Sequence, residues 1–191
     1  MKAVAYFESL AIDDPRALQD VELPEPVPGP RDLLVEVRAI SVNPVDTKVR
    51  RNTQPEGGQP KVLGWDVAGV VVGVGSEVSL FKVGDEVVVH CNQDDGDDEE
   101  CNGGDPMFST SQRIWGYETP DGSFAQFCRV QARQLMARPK HLTWEESACY
   151  TLTLATAYRM LFGHRPHILR PGHNVLVWGA SGGLGSMAIQ L

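Results

Sequence analysis

The seven residues 179–185, GASGGLG, are the part of this sequence whose types and spacing speak most directly of chemistry. Gly182 and Gly185 stand at the second and third positions of a G-x-G-x-x-G pattern, with Ala180 at the first and Gly179 just ahead of it. Where Cβ atoms are missing, backbone N–H groups at a helix N-terminus can close on a pyrophosphate. The apolar run VLVW precedes the turn and SMAIQL follows it. That strand–turn–helix context favours dinucleotide binding over a merely tight turn. Gly179, Ala180, Ser181, Gly182, Gly183, Leu184 and Gly185 are therefore the candidate cofactor-binding residues. The ribose-reading acid of such motifs stands about 20 residues further on, so the turn itself does not choose between NAD and NADP.

Other residues of reactive type keep two readings each. Tyr117 and Glu118, in IWGYET, read on spacing alone as a turn aromatic and a surface carboxylate, because one Tyr-Glu pair is not diagnostic. Asn43, in SVNPVD, either caps the turn before Pro44 or orients a carbonyl through its amide. Thr153 and Thr156 lie three apart and share a helix face, and for Thr153 core packing is the stronger reading. Cys149 reads as a buried apolar residue of that helix, and His164 and His167 as decoration of a connector. The four cysteines, Cys91, Cys101, Cys128 and Cys149, form no C-x-x-C, which points to reduced thiols rather than a disulfide framework or a zinc ribbon. Residues 94–100 hold six acids, yet the regular D-x-D-x-D-G frame with a distal Glu is missing, so a solvated loop is expected there.

These residues need a scaffold, and the hydrophobic pattern supplies one. Short β runs AVAYF, LLVEVRAISV, VAGVVVGVG and DEVVVH alternate with PEPVPGPRD, PEGGQP and KVGD, which predicts a compact, mostly antiparallel β domain. SFAQFCRVQARQLMARP predicts a further strand pair. Thr143 and Glu146 have capping-box spacing, which predicts one helix running from there to Gly163. A strand over 174–178 should then feed the glycine turn. A net charge of −8 argues against nucleic acid as a partner. No stretch approaches the ~20 apolar residues of a membrane span, and no leader pattern opens the chain, so a cytoplasmic protein without membrane contact is expected.

A β domain leading into a Rossmann start resembles the medium-chain dehydrogenase/reductase superfamily. The resemblance implies a mixed α/β fold: a GroES-like β-barrel catalytic domain over residues 1–142, then a linking helix and the first β-α unit of a Rossmann domain over 143–191. Zinc enzymes of that superfamily carry G-H-E-x-x-G, whose His ligates the catalytic metal; residues 64–69 here read GWDVAG. Trp65 cannot ligate a metal and Asp66 alone is not a ligand set, so the chain resembles the zinc-free branch of enoyl and quinone reductases, with no metal. From about residue 85 onward, HCNQDDGDDEECNGGDP, QRIWGYETPDGSFAQFCRVQARQLMARP and NVLVWGASGGLG resemble the crotonyl-CoA carboxylase/reductase family. Residues 1 to about 85 are similar instead to generic zinc-type alcohol dehydrogenases and quinone oxidoreductases, and the two resemblances meet near KVGDEVV.

The carboxylase/reductase resemblance implies hydride delivery from NADPH to crotonyl-CoA and attack of the resulting enolate on CO2, giving ethylmalonyl-CoA. It places Tyr117 and Glu118 at the CO2 pocket, where relatives often have Phe first, Asn43 near the nicotinamide and substrate, and Thr156 beside the nicotinamide ribose. It also implies a homo-oligomer. Two other readings stand beside it: a zinc-independent quinone or enone oxidoreductase, and an inactive fragment of such an enzyme. On the last, these 191 residues alone are expected to show no reductase activity and poor NADPH binding.

Overall fold

The computed structural model describes every residue except His164, Arg165 and His167. The two histidines weighed above therefore lie outside the described residues. The strands are β1 (Lys2–Tyr6), β2 (Gln19–Glu22), β3 (Asp32–Ile40), β4 (Lys61–Val62), β5 (Val67–Val74), β6 (Glu86–Val89), β7 (Asn92–Gln93), β8 (Arg113–Ile114), β9 (Phe127–Gln131) and β10 (Leu135–Ala137). The α-helices are α1 (Pro44–Asn52), α2 (Trp144–Ala148), α3 (Thr151–Tyr158) and α4 (Gly183–Gln190). Every strand pair is antiparallel. The sheets run β2-β1-β4, β10-β6-β5-β3-β9 and β7-β8.

The five-stranded sheet holds the main core because its strands alternate. Leu33 and Val35 of β3, Val67 and Val71 of β5, Val87 and Val89 of β6, and Cys128 and Val130 of β9 all turn inward around Trp115. Side chains two apart share a face of a strand, so a period of two in the sequence becomes one apolar surface. Each fully buried valine contributes about 1.5–3 kcal/mol. Two register shifts in the β3–β5 ladder, at Leu34/Val35 and Val37/Ala39, curl the sheet around that core. The other face is covered too: Ala68 and Val88 pack under Ala148 and Trp144 of α2. β9 and β10, expected to pair with each other, sit at opposite edges of this sheet, β9 on β3 and β10 on β6. A 3-10 turn, Ala132–Gln134, lies between them.

Two elements differ from expectation. The capping box at Thr143 forms, with Thr143 N–H donating to Glu146 Oε2 at 2.8 Å and Glu146 N–H to Thr143 Oγ1 at 3.2 Å. The helix it opens nevertheless stops at Ala148, and Tyr150 takes a non-helical φ of −121° and ψ of −19° before α3 starts. A buried carboxylate from another part of the chain receives the start of α3, as described below. Cys149, in this break, is exposed rather than buried. Residues 174–178 form no ladder, and Leu176 and Trp178 stand 87% and 93% exposed. A strand is a property of a pair, and no described strand lies alongside this run to complete its hydrogen bonds.

Candidate functional site

The site is organised by Asp66, which follows Trp65 at the entry to β5 and is 1% exposed. Its Oδ2 accepts from Ser41 Oγ at 2.7 Å and from Asn43 Nδ2 at 2.9 Å. Its Oδ1 accepts from the Leu152 N–H at 2.8 Å and from the Thr151 hydroxyl. Thus one carboxylate ties the β3–α1 loop to the first turn of α3. A negative charge also suits a helix N-terminus, where N–H groups lack acceptors. That is the reason the predicted long helix breaks at Cys149: α3 takes its cap from Asp66, and its direction follows.

Asn43 takes the capping place weighed for it. It is the N-cap of α1, its main-chain N–H donates to Asp46 Oδ2 at 2.7 Å, and Pro44 occupies the first helical position, where a missing N–H costs nothing. A carboxylate can only accept, so Asp66 turns the amide nitrogen of Asn43 toward itself. The second amide hydrogen goes to Ser41 Oγ at 3.1 Å. The remaining polar atom of this buried side chain is its carbonyl oxygen, an acceptor that faces the first turn of α1 in the capping box with Asp46.

Asp46 is buried beside it and accepts from the N–H groups of both Asn43 and Gly64, the latter at 3.0 Å. Burial pushes its carboxyl pKa up, against those two hydrogen bonds. Asp46→Asn leaves one of the two N–H groups facing an amide donor, and the expected loss is about 1–3 kcal/mol of stability, read from the urea midpoint.

Tyr117 and Glu118 ride on the strand residues before Asp66. The Tyr117 ring, 44% exposed, stacks on Trp65 with centroids 6.2 Å apart and planes 14° apart. Gly116, at φ +83°, is where the turn presses hardest, since a Cβ there would stand 2.3 Å from Gly64 O. Main-chain bonds from Val62 N to Pro120 O, Ser123 N to Gly64 O and Phe124 N to Leu63 O continue the contact. The ammonium of Lys61 donates to the carbonyls of Tyr117 and Thr119. Glu118 folds back on its own turn, Oε2 accepting from Ile114 N–H at 2.7 Å. Cys91, in the apolar cluster of Trp65, Tyr6, Val49 and Leu63, has its thiol pushed up to about 12 by burial with Asp66 adding to it, so it is no nucleophile at neutral pH.

The helix expected after the glycine turn forms, without the strand expected before it. Gly182 is the N-cap of α4, and Ser186 N–H donates back to Gly182 O at 2.8 Å. A Cβ on Gly185 would lie 2.3 Å from Gly179 O and 2.7 Å from Ala180 Cα, so the turn closes on its helix only with glycine there. A Cβ on Gly182 would meet nothing nearer than Gly179 O at 3.4 Å, an ordinary contact; that side of the turn is open to a ligand. Ser181, Gly182, Gly183 and Leu184 are exposed. The neighbour of the turn on α3 is Thr153, whose methyl would be 3.1 Å from a Cβ on Gly183; Thr156 lies half-buried one turn later.

The alcohol dehydrogenase GroES-like domain model matches residues 29–140, more than half of the chain. The chain belongs to that family. Among its relatives, crotonyl-CoA carboxylase/reductase of Cereibacter sphaeroides is 81% identical over 130 residues, 68% of this chain and 30% of that protein. A zinc-type alcohol dehydrogenase-like protein of Staphylococcus epidermidis is 31% identical over 195 residues, 100% of this chain and 50% of that protein. A solved crotonyl-CoA carboxylase/reductase, AntE V350A in complex with NADP, superposes with a TM-score of 0.89 at 37% identity, covering 100% of this chain and 50% of that one. The chain thus spans half or less of the length of these relatives.

Within this GroES-like family member, the position expected of a zinc-ligating His is filled by Trp65, whose indole offers no lone pair to a metal. Among the described residues the one close group of metal-ligating types is Asp95, Asp98 and Cys101, in the acidic loop. There the Asp98 carboxyl is held down at about 2 by hydrogen bonds from Cys101 and Ser109. Sequence reasoning missed Asp66 as an organising acceptor, and also Ser41, Thr151 and Lys61. Their partners lie far off in the chain, so no local spacing announces them.

Proposed function

We propose that this chain is the catalytic-domain portion, with the start of the nucleotide domain, of an NADPH-dependent enoyl-CoA reductase that carboxylates crotonyl-CoA to ethylmalonyl-CoA. The observation that carries this reading is the Trp65–Tyr117 stack. It mounts the Tyr117–Glu118 turn on the residue next to Asp66, and so beside the network holding Asn43. Identity of 81% to a carboxylase/reductase over 130 residues supports the same conclusion.

The fit to the dinucleotide rests on the exposed turn and on the space that Gly182 leaves open. Gly179 to Gly185 would hold its diphosphate through first-turn N–H groups, with Thr156 toward the nicotinamide ribose. When bound, the nicotinamide supplies hydride for the β-carbon of the enoyl thioester. The chain's own residues then decide what the resulting enolate meets. Trp65 and Tyr117 form an aromatic wall that disfavours water. Asn43, its amide N–H groups already engaged by Asp66 and Ser41, is held in one orientation in the network beside that wall. Glu118 has one carboxylate oxygen free of its turn. Exclusion of water selects carboxylation over protonation of the α-carbon.

Identity of 32% over 192 residues to a quinone oxidoreductase of Pongo abelii favours a second reading, a zinc-independent quinone or enone oxidoreductase. NADPH oxidation by the full protein separates the two. The first expects dependence on crotonyl-CoA and, with bicarbonate, ethylmalonyl-CoA as the product by mass spectrometry. Turnover with a quinone and none with the acyl-CoA would sink it. A cytoplasmic homo-oligomer is part of the same proposal.

A further inference from the structure

Lys61 is an unusual residue to find under a loop. It is 7% exposed, it sits on β4 opposite Tyr6, and no carboxylate lies within ion-pair distance of it among the described residues. Its ammonium instead donates to two carbonyls, Tyr117 O at 2.6 Å and Thr119 O at 2.8 Å, which bracket Glu118. Burial pulls its pKa down, with Glu56 and Asp121 opposing.

Inside the loop, Tyr117 and Glu118 N–H groups both return to Ile114 O, and Gly116 N–H goes to Asp121 O and to Thr119 Oγ1. Those bonds shape the turn without saying where it sits. Beyond the main-chain bond from Val62 N to Pro120 O, among the described residues Tyr117 is held to the rest of the fold by Trp65 through its ring, and Tyr117 and Thr119 by Lys61 through its ammonium. An ion taken out of water and given only carbonyl acceptors is a costly spacer, whereas an apolar residue would fill the same volume cheaply. What the ammonium does that an apolar residue cannot is hold the two carbonyls on either side of Glu118 at a set distance from β4.

We infer that Lys61 is a positioning residue that fixes the Tyr117–Glu118 turn, and that through this turn it sets the share of turnover ending in carboxylation rather than protonation. The inference rests on the carboxylase reading above for its second half. Its first half stands on geometry alone.

The test compares the full protein with Lys61→Met and Lys61→Arg. Hydrogen exchange of the amides of residues 116–119 reads the turn directly, with β3 and β5 as internal reference. In Lys61→Met these amides should exchange at least about tenfold faster while β3 and β5 are unchanged. The ratio of ethylmalonyl-CoA to butyryl-CoA should fall about tenfold, with the rate of NADPH oxidation held within about threefold. Lys61→Arg, which keeps a charged donor, should recover part of both. Should Lys61→Met fail to fold, Lys61→Gln takes its place, with a shorter reach and an expected intermediate effect. Unchanged exchange at 116–119 overturns the positioning role. Faster exchange with an unchanged product ratio overturns the link to carboxylation. If the unaltered protein makes no ethylmalonyl-CoA, the carboxylase reading and the product-share half fail together, and the exchange result alone still decides whether Lys61 holds the turn.

Discussion

Asp66→Ala should lower the unfolding free energy by about 3–5 kcal/mol, since several buried neutral donors lose the carboxylate that satisfies them. Four donors lose their acceptor at once: Ser41 Oγ, Asn43 Nδ2, Thr151 Oγ1 and Leu152 N–H. An unsatisfied buried donor costs about 1–3 kcal/mol, but these four relax together, so the losses do not sum. Thr151 can turn its single hydroxyl hydrogen to Val89 O, 3.0 Å away, which softens its share. For a chain of this size the expected drop in melting temperature is roughly 6–20 °C. Asp66→Asn keeps the shape but turns an amide donor toward other donors, so its cost should be smaller and still measurable. Denaturation in urea with an unchanged m-value would report the loss as stability. A cost below about 1 kcal/mol for Asp66→Ala would mean that the network does not hold α3 to the sheet. Since α3 carries Thr153 against the glycine turn, hydrogen exchange in α4 should also quicken in this variant.

Gly185→Val should weaken binding of NADPH to the full protein at least tenfold, a cost of about 1.4 kcal/mol or more. The added Cβ falls 2.3 Å from Gly179 O, so the turn has to open and its N–H groups lose their common focus. Stability of the sheet should hardly change, because the β3–β5–β6 core makes no use of this turn. Gly182→Ala is the instructive partner. Its methyl meets only an ordinary 3.4 Å contact within the chain, so the free turn should keep its shape and the methyl should act on the ligand alone. Calorimetry then expects weak binding in both variants, and amide spectra of residues 179–185 expect a changed free turn only in Gly185→Val. Tight NADPH binding by Gly185→Val would remove the turn from the cofactor site.

The features legible in advance share one trait: their partners are near in sequence. Asn43, Pro44 and Asp46 start α1 within four residues, Thr143 and Glu146 start α2 within four, and the turn at 179–185 closes on itself. The β core was legible for a similar reason, since alternation in Leu33, Val35 and in Val87, Val89 is a local pattern whose only requirement is some apolar surface opposite. Strand partners were harder, because β9 and β10 carry equal signals for pairing with each other and for the opposite edges they occupy.

The acceptors of the site were hidden by distance along the chain. Thr151 reaches Asp66 across 85 positions and Lys61 reaches Tyr117 across 56. No periodicity or cap spacing encodes such a pair. The same distance explains the break after Ala148: local propensity favours one helix to Gly163, yet Asp66 takes the Leu152 N–H, which a continuous helix would spend on its own carbonyl, leaving the buried carboxylate one donor short. Tertiary context overrides propensity in such a case, because a charge-assisted bond to a buried acceptor outweighs a few tenths of a kcal/mol per residue.

By itself, then, the sequence determined the antiparallel β domain, the caps of α1 and α2, and the glycine turn that opens α4. Each follows from neighbours within a few residues or from a simple apolar period. Only the tertiary structure decided that Asp66 joins β3, α1 and α3, that the Asn43 amide nitrogen is engaged by Asp66 and Ser41, and that Trp65 and Lys61 contact the Tyr117–Glu118 turn. Those facts belong to groups brought together when the sheet curls and buries them, where a carboxylate or an ammonium has to find its partners within the protein.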